Sequence, residues 1–127
     1  FTFYREVFGT QFVGEIARFG NMPPAEGTPP MSEEDKNLVM HIELPILGGH
    51  VLMGTDVPAS TGFTVNQGNT THLNLEPDTL DEAKRLFEAL SQGGKVIMPL
   101  QKMFWGDHFA SFTDRFGVHW MINCTAQ

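Results

Sequence analysis

Three short stretches of the chain alternate polar and apolar residues so that chemically capable side chains fall on one side of a strand. Met40, Ile42 and Leu44 are apolar, and His41 and Glu43 lie between them. Leu73 and Leu75 separate His72, Asn74 and Glu76. Val118, Trp120 and Ile122 separate His119, Met121 and Asn123. Successive strand side chains point to opposite faces. If the apolar set packs on a helix, the histidines, carboxylates and amides share the other face. By an internal repeat in the order of elements, Val51 and Met53 join that face, as do Phe109, Ser111 and Thr113. Histidine titrates near neutral pH and a carboxylate partner tunes it, so His72 with Glu43 or Glu76 has the composition of a general acid–base pair. Glu76 precedes Pro77 and is expected at a strand end on the surface.

Other reactive types are less suggestive. Cys124 is the single cysteine, which excludes an internal disulfide framework and a CxxC zinc site, and it reads as a small apolar residue. Ser60, Ser91 and Ser111 lack a nucleophile-elbow context. His50 and His108 are expected in loops or at a rim. Trp105 precedes a glycine in a loop, where it either stacks on a flat ligand or plugs the loop from below.

The elements that must position these residues follow from pattern. The chain has 127 residues, 41% of them hydrophobic and 11% aromatic, enough for one packed domain. Phe1, Phe3, Tyr4, Val7 and Phe8 have helical spacing, and Gly9 stops the helix. Phe12 to Phe19 reads as a strand, and the proline-rich stretch Gly20 to Pro30 as a loop. Ser32 starts one helical turn, Asn37 to Ile46 is a strand, Leu47-Gly48-Gly49 a tight turn, and His50 to Thr55 the returning strand. After a polar linker, Thr70 to Glu76 is a strand. Thr79 or Asp78 then caps the best helix, with Asp81 and Glu82 in its first turn and Ala83, Leu86, Phe87 and Leu90 as its apolar stripe. Lys95 to Pro99, His108 to Thr113 and Val118 to Cys124 are strands.

Charge narrows the partners. Eight basic against fifteen acidic residues give a net charge of −7. No basic footprint for nucleic acid is visible, and no stretch is long and apolar enough for a membrane span. The expectation is a cytoplasmic protein.

The order of elements repeats. The second half reads β-α-β-β-β, and the first half matches it with the leading strand removed. With an offset of 83, Phe3 meets Leu86, Tyr4 meets Phe87 and Val7 meets Leu90; with an offset of 68, Gly49 meets Gly117, Leu52 meets Trp120 and Met53 meets Met121. The expected organisation is one domain over 1–127, with a first module at 1–57, a linker at 58–68 and a second module at 69–127. The uncapped opening helix leads to the expectation that a strand precedes Phe1.

These paired modules resemble the vicinal oxygen chelate superfamily of glyoxalase I, extradiol dioxygenases and fosfomycin- and bleomycin-resistance proteins. The stretch from Trp105-Gly106-Asp107-His108 through Asp114-Arg115-Phe116-Gly117 to Trp120, with Asn37 to Leu44, is similar to the PhnB-like branch. The resemblance implies an α+β fold in which paired βαβββ modules form a cup-shaped mixed sheet. It also implies ligand positions on the first and last strands of each module. Those positions hold His72, Met53 and Met121, with a fourth in the strand expected upstream. Thioether sulfur suits Cu(I) rather than the Ni, Zn, Mn or Fe(II) that such enzymes use. The expectation is therefore no cofactor, with a divalent metal at His72 as the lesser alternative.

The function expected is binding of a small hydrophobic or aromatic molecule in the cup by His41, Met53, Asn74, Trp105, Phe109, Ser111, His119, Met121 and Asn123. The alternative is a metal-dependent lyase or isomerase using His72 and Glu43. Relatives commonly dimerise, so a homodimer is expected, with an interface that includes the opening helix and the proline-rich loop.

Overall fold

The structure is a computed structural model that describes residues 1–23, 27 and 30–125. In chain order it contains α1 (Thr2–Phe8), β1 (Ala17–Arg18), α2 (Glu33–Asn37), β2 (Val39–Pro45), β3 (Val51–Gly54), β4 (Leu73–Leu75), α3 (Leu80–Ser91), β5 (Lys95–Lys102), β6 (His108–Thr113) and β7 (His119–Cys124). Short 3-10 turns lie at Phe19–Asn21, Leu47–Gly49 and Ala59–Thr61. Among the described residues the strands form two open sheets, β1-β2-β3 and β4-β7-β6-β5. β4 runs parallel to β7, and the other neighbours are antiparallel. The second half thus has the β-α-β-β-β order and an α+β architecture. No helix is long and apolar enough to cross a membrane among the described residues.

Local chemistry accounts for the helices. The Thr79 hydroxyl accepts from the Glu82 amide at 3.1 Å, and Asp81 and Glu82 face the positive end of α3. Ser32 does the same for α2, accepting from the Asp35 amide at 3.1 Å. Gly9 ends α1 with φ +65°, a left-handed conformation that favours glycine.

One core joins both halves. Trp120, Ile122, Leu86, Leu90 and Leu44 are fully buried and cluster with Tyr4 and Val7 of α1. Val7 and Leu90, matched by the repeat, are both in it, and Leu52 packs against it as Trp120 does. Phe1, Phe3 and Phe8 around the same helix are partly buried against this core. Arg85 of α3 ties the two helices by donating to the Val7 carbonyl at 2.8 Å.

Asp114, in the hairpin between β6 and β7, is the buried charged group of this core, 3% exposed. Its carboxylate accepts from the Tyr4 hydroxyl, from Trp120 Nε1 at 2.8 Å, and from the amides of Phe116 and Val118 at 2.8 and 3.0 Å. Burial, and next the hydrogen bond to this carboxylate, hold the Tyr4 phenol far above its ordinary range.

Several element boundaries differ from expectation. The strand expected over Phe12 to Phe19 is only Ala17–Arg18. Gly14 breaks it with φ +68°, although the Val13 amide still reaches the Glu43 carbonyl at 3.0 Å. The turn at Leu47–Gly49 is a 3-10 turn in which Gly48 and Gly49 both have positive φ, closed by the Ile46 amide on the His50 carbonyl at 2.8 Å. The strand expected over Thr70 to Glu76 is paired only at Leu73–Leu75. β5 continues past Pro99 to Lys102 because it is an edge strand, where a residue without an amide hydrogen is tolerated. Within the proline-rich loop, 24–26 and 28–29 lie outside the described residues.

Candidate functional site

β7 carries the clearest two-faced pattern. Trp120, Ile122 and Cys124 are buried, while His119, Met121 and Asn123 are partly exposed on the opposite face. β6 repeats it, with Ala110 and Phe112 buried and Phe109, Ser111 and Thr113 outward. The antiparallel register sets Phe109 beside Asn123, Ser111 beside Met121 and Thr113 beside His119. The parallel register adds Asn74 of β4 beside Met121. One open sheet face therefore presents Asn74, Phe109, Ser111, Thr113, His119, Met121 and Asn123 together.

Trp105 extends this face. Its loop is closed by the Met103 amide on the Asp107 carbonyl at 2.8 Å. The indole is 47% exposed and meets Phe109 edge to face, with ring centroids 6.0 Å apart. Phe104, 96% exposed, also meets Trp105 edge to face, at 4.9 Å. Edge-to-face contacts of this kind are a favoured aromatic geometry. Asn123 is held in place by its side-chain amide donating to Asp107 at 3.0 Å. It also lines a hollow of about 290 Å³ with Glu76, Pro77, Asp78 and Thr125.

His119 is fully engaged. Its Nε2 lies 3.0 Å from the Gly68 carbonyl and its Nδ1 lies 3.0 Å from the Thr113 hydroxyl. A carbonyl can only accept, so Nε2 carries the hydrogen, and in the neutral ring Nδ1 accepts from Thr113. The imidazole of His72 packs on this ring at a centroid distance of 5.2 Å. His72 itself is exposed and precedes β4.

The first sheet places its candidates separately. His41 Nε2 is 2.8 Å from Glu43 Oε1, with both side chains partly exposed. Met53, 61% exposed, lies across the ladder from Glu43. Val51 is 44% exposed on the same strand. Glu43 is thus paired with His41, Glu76 accepts from Asn74 at 3.4 Å, and His72 meets His119. Among the described residues, no three histidine, cysteine, aspartate or glutamate side chains come together to hold a metal ion. The imidazole of His72 and the thioethers of Met53 and Met121, the candidate donors, do not make a set that suits a divalent ion of the usual kind.

Sequence reasoning did not assign a role to Asp107, which orients Asn123, or to Gly68, whose carbonyl holds His119. Both partnerships cross between segments that are distant in sequence, and no local pattern marks them.

The model of the Glyoxalase/Bleomycin resistance protein/Dioxygenase superfamily matches residues 1–122. Protein YjdN of Escherichia coli strain K12 is 31% identical over 134 residues, covering 98% of this chain and 85% of that protein. The crystal structure of protein PA1353 from Pseudomonas aeruginosa is 33% identical with a TM-score of 0.80, covering 99% of this chain and 86% of that one. The PhnB protein from Bacillus cereus shares the fold at 24% identity and a TM-score of 0.68, covering 97% of this chain and 86% of that one.

Proposed function

The chain belongs to the Glyoxalase/Bleomycin resistance protein/Dioxygenase superfamily, and from that premise we propose that it binds a small apolar or aromatic molecule on the open face of β4, β7 and β6. The observation that carries this reading is the half-exposed Trp105 set edge to face on Phe109, beside the amide of Asn123 and the thioether of Met121. Small-molecule sites combine apolar walls with a few fixed polar groups, and this face has both. Its polar groups are already oriented: Asn123 by Asp107, and His119 by Thr113 and Gly68.

Binding on this face proceeds without a divalent metal. The thioether of Met121 is a poor donor for such ions, and both nitrogens of His119 are committed to neutral partners. The working unit is a homodimer, supported by the apolar side chains that the chain leaves exposed on the first sheet and linker, Val51, Met53, Phe63 and Val65. A second reading, a metal-dependent lyase or isomerase with a displaced site, draws on one observation. His41 and Glu43 already form an imidazole–carboxylate pair at 2.8 Å.

The deciding experiment combines metal analysis with a screen of planar aromatic probes, read by Trp105 fluorescence and NMR. The binder reading expects probe binding that a chelator does not change and that Trp105→Ala weakens. About one tightly held divalent ion per chain, with probe binding lost on chelation, overturns it in favour of the second reading. A sedimentation experiment giving a monomer at working concentration overturns the homodimer.

A further inference from the structure

We propose that the groove between α3 and β5, on the helix side of the second sheet, is a second binding site, for a small monocarboxylate with an apolar body. It is separate from the open face that carries Trp105. A cavity of about 450 Å³ lies there, lined on α3 by Leu80, Lys84, Phe87 and Glu88. Pro99, Leu100, Gln101 and Lys102 of β5 and His108 of β6 line the facing wall. The volume falls within the range of about 300–1,000 Å³ usual for ligand sites.

The groove has a structural origin. α3 buries Ala83, Leu86 and Leu90 completely against the sheet, but leaves Leu80 and Phe87 only partly covered. Across from them the β5–β6 register shifts between Met98 and Gln101, so the edge strand departs from regular pairing beside Leu100. The Phe87 ring, edge to face on Phe112 at 5.6 Å, lines the groove. The floor is therefore apolar.

The polar groups around that floor favour an anion. Lys84 and Lys102 bring two cations against the single carboxylate of Glu88, in a chain whose net charge is −7. Among the described residues His108 Nδ1 is the buried side-chain polar atom with no hydrogen-bond partner. A buried ring nitrogen left unpaired is costly; in the Nδ1–H tautomer it is a donor that an oxygen from a guest satisfies. One carboxylate can accept from His108 Nδ1 and lie near Lys84 and Lys102 while its apolar chain covers Leu80, Phe87 and Leu100. Glu88 disfavours a guest with several negative charges.

The test is an NMR titration of the isotope-labelled full chain at low salt, with octanoate and with octanol. Octanoate is expected to shift the signals of Leu80, Phe87, Leu100 and His108 and to leave Trp105 and Phe109 unmoved. Octanol is expected to bind about tenfold more weakly. Lys84→Ala combined with Lys102→Ala, both exposed positions, is expected to weaken octanoate about tenfold without altering thermal stability. His108→Phe is expected to weaken it as well. Equal binding of octanoate and octanol, shifts confined to the Trp105 face, or unchanged affinity in the lysine double variant would overturn the proposal. Because the two faces carry different reporters, failure here leaves the reading of the Trp105 face standing.

Discussion

The Tyr4 hydroxyl donates to the Asp114 carboxylate, joining residues 110 positions apart. The first helix is thereby anchored to the last hairpin, next to the indole of Trp120, whose ring meets Tyr4 at 5.7 Å. Asp114 answers four donors at once. Removing its carboxylate leaves the Tyr4 hydroxyl and the Trp120 indole nitrogen without this partner in the core, and the amides of Phe116 and Val118 without it in the partly buried hairpin. Asp114→Ala is expected to cost about 3 kcal/mol or more, measured by denaturant unfolding. Tyr4→Phe leaves three of the donors in place and is expected to cost less. Equal, small losses for both would show that the carboxylate does not organise this core.

Tyr4 is the single tyrosine, so its ionisation can be followed without interference. Its folded pKa is raised above the ordinary 10.0. Below that ordinary value both states hold the proton, and the contribution to stability is complete. Above it the unfolded chain releases the proton while the folded one keeps it, so stability falls as pH rises. Phenolate absorbance of the folded protein is therefore expected to stay flat through pH 10 and to appear only on unfolding. Tyr4→Phe is expected to lose this alkaline component of the stability profile. A phenolate signal at the ordinary pH in the folded state would contradict the burial.

Gly94 sits where α3 hands over to β5. A Cβ there would collide with the Thr113 carbonyl and come within 2.8 Å of Asp114 Cα and carbonyl carbon. Those are backbone atoms of the hairpin that carries Asp114, so they cannot turn aside as a side chain could. Gly94→Ala is expected to lower stability by about 2 kcal/mol or more, visible as a lower melting temperature. Gly68→Ala, where a Cβ meets nothing within 4 Å, serves as the control and is expected to be close to neutral.

His119 pins the segment before β4 through its bond to the Gly68 carbonyl. Gln67 adds a second tether by donating to the Phe116 carbonyl at 3.0 Å. His119→Ala is expected to cost about 1 kcal/mol and to speed amide exchange across the residues around Gly68. Unchanged exchange there would show that Gln67 alone holds the segment. Because His119 lies on the proposed binding face, weaker probe binding is expected alongside.

Much of this molecule is legible in the sequence because the signals are local. Alternation on the strands around 42 and 121 separated Ile42, Leu44, Trp120 and Ile122 from His41, Glu43, His119 and Met121, and the burial follows that division. Thr79 announced α3, whose stripe of Ala83, Leu86 and Leu90 is buried. The hairpin at Asp114 and the repeated element order pointed to the superfamily. The strand read over Phe12 to Phe19 is only Ala17–Arg18, because Gly14 takes a left-handed φ that the local pattern does not mark.

What the tertiary structure decided is which of these residues meet. The period of a strand tells which face a side chain takes, not which strand lies beside it. His72 reads equally well as a partner of Glu43, of Glu76 or of neither; the parallel pairing of β4 with β7 sets it against His119 instead. Asp114 reads as a turn residue until α1 folds back and brings Tyr4 to it. The groove that His108 lines lies between α3 and β5, whose pairing with β6 shifts register between Met98 and Gln101. The sequence by itself determined the elements, their buried faces and the family; packing between distant segments determined the pairs, because a pair's energy depends on where two separate stretches of chain come to rest.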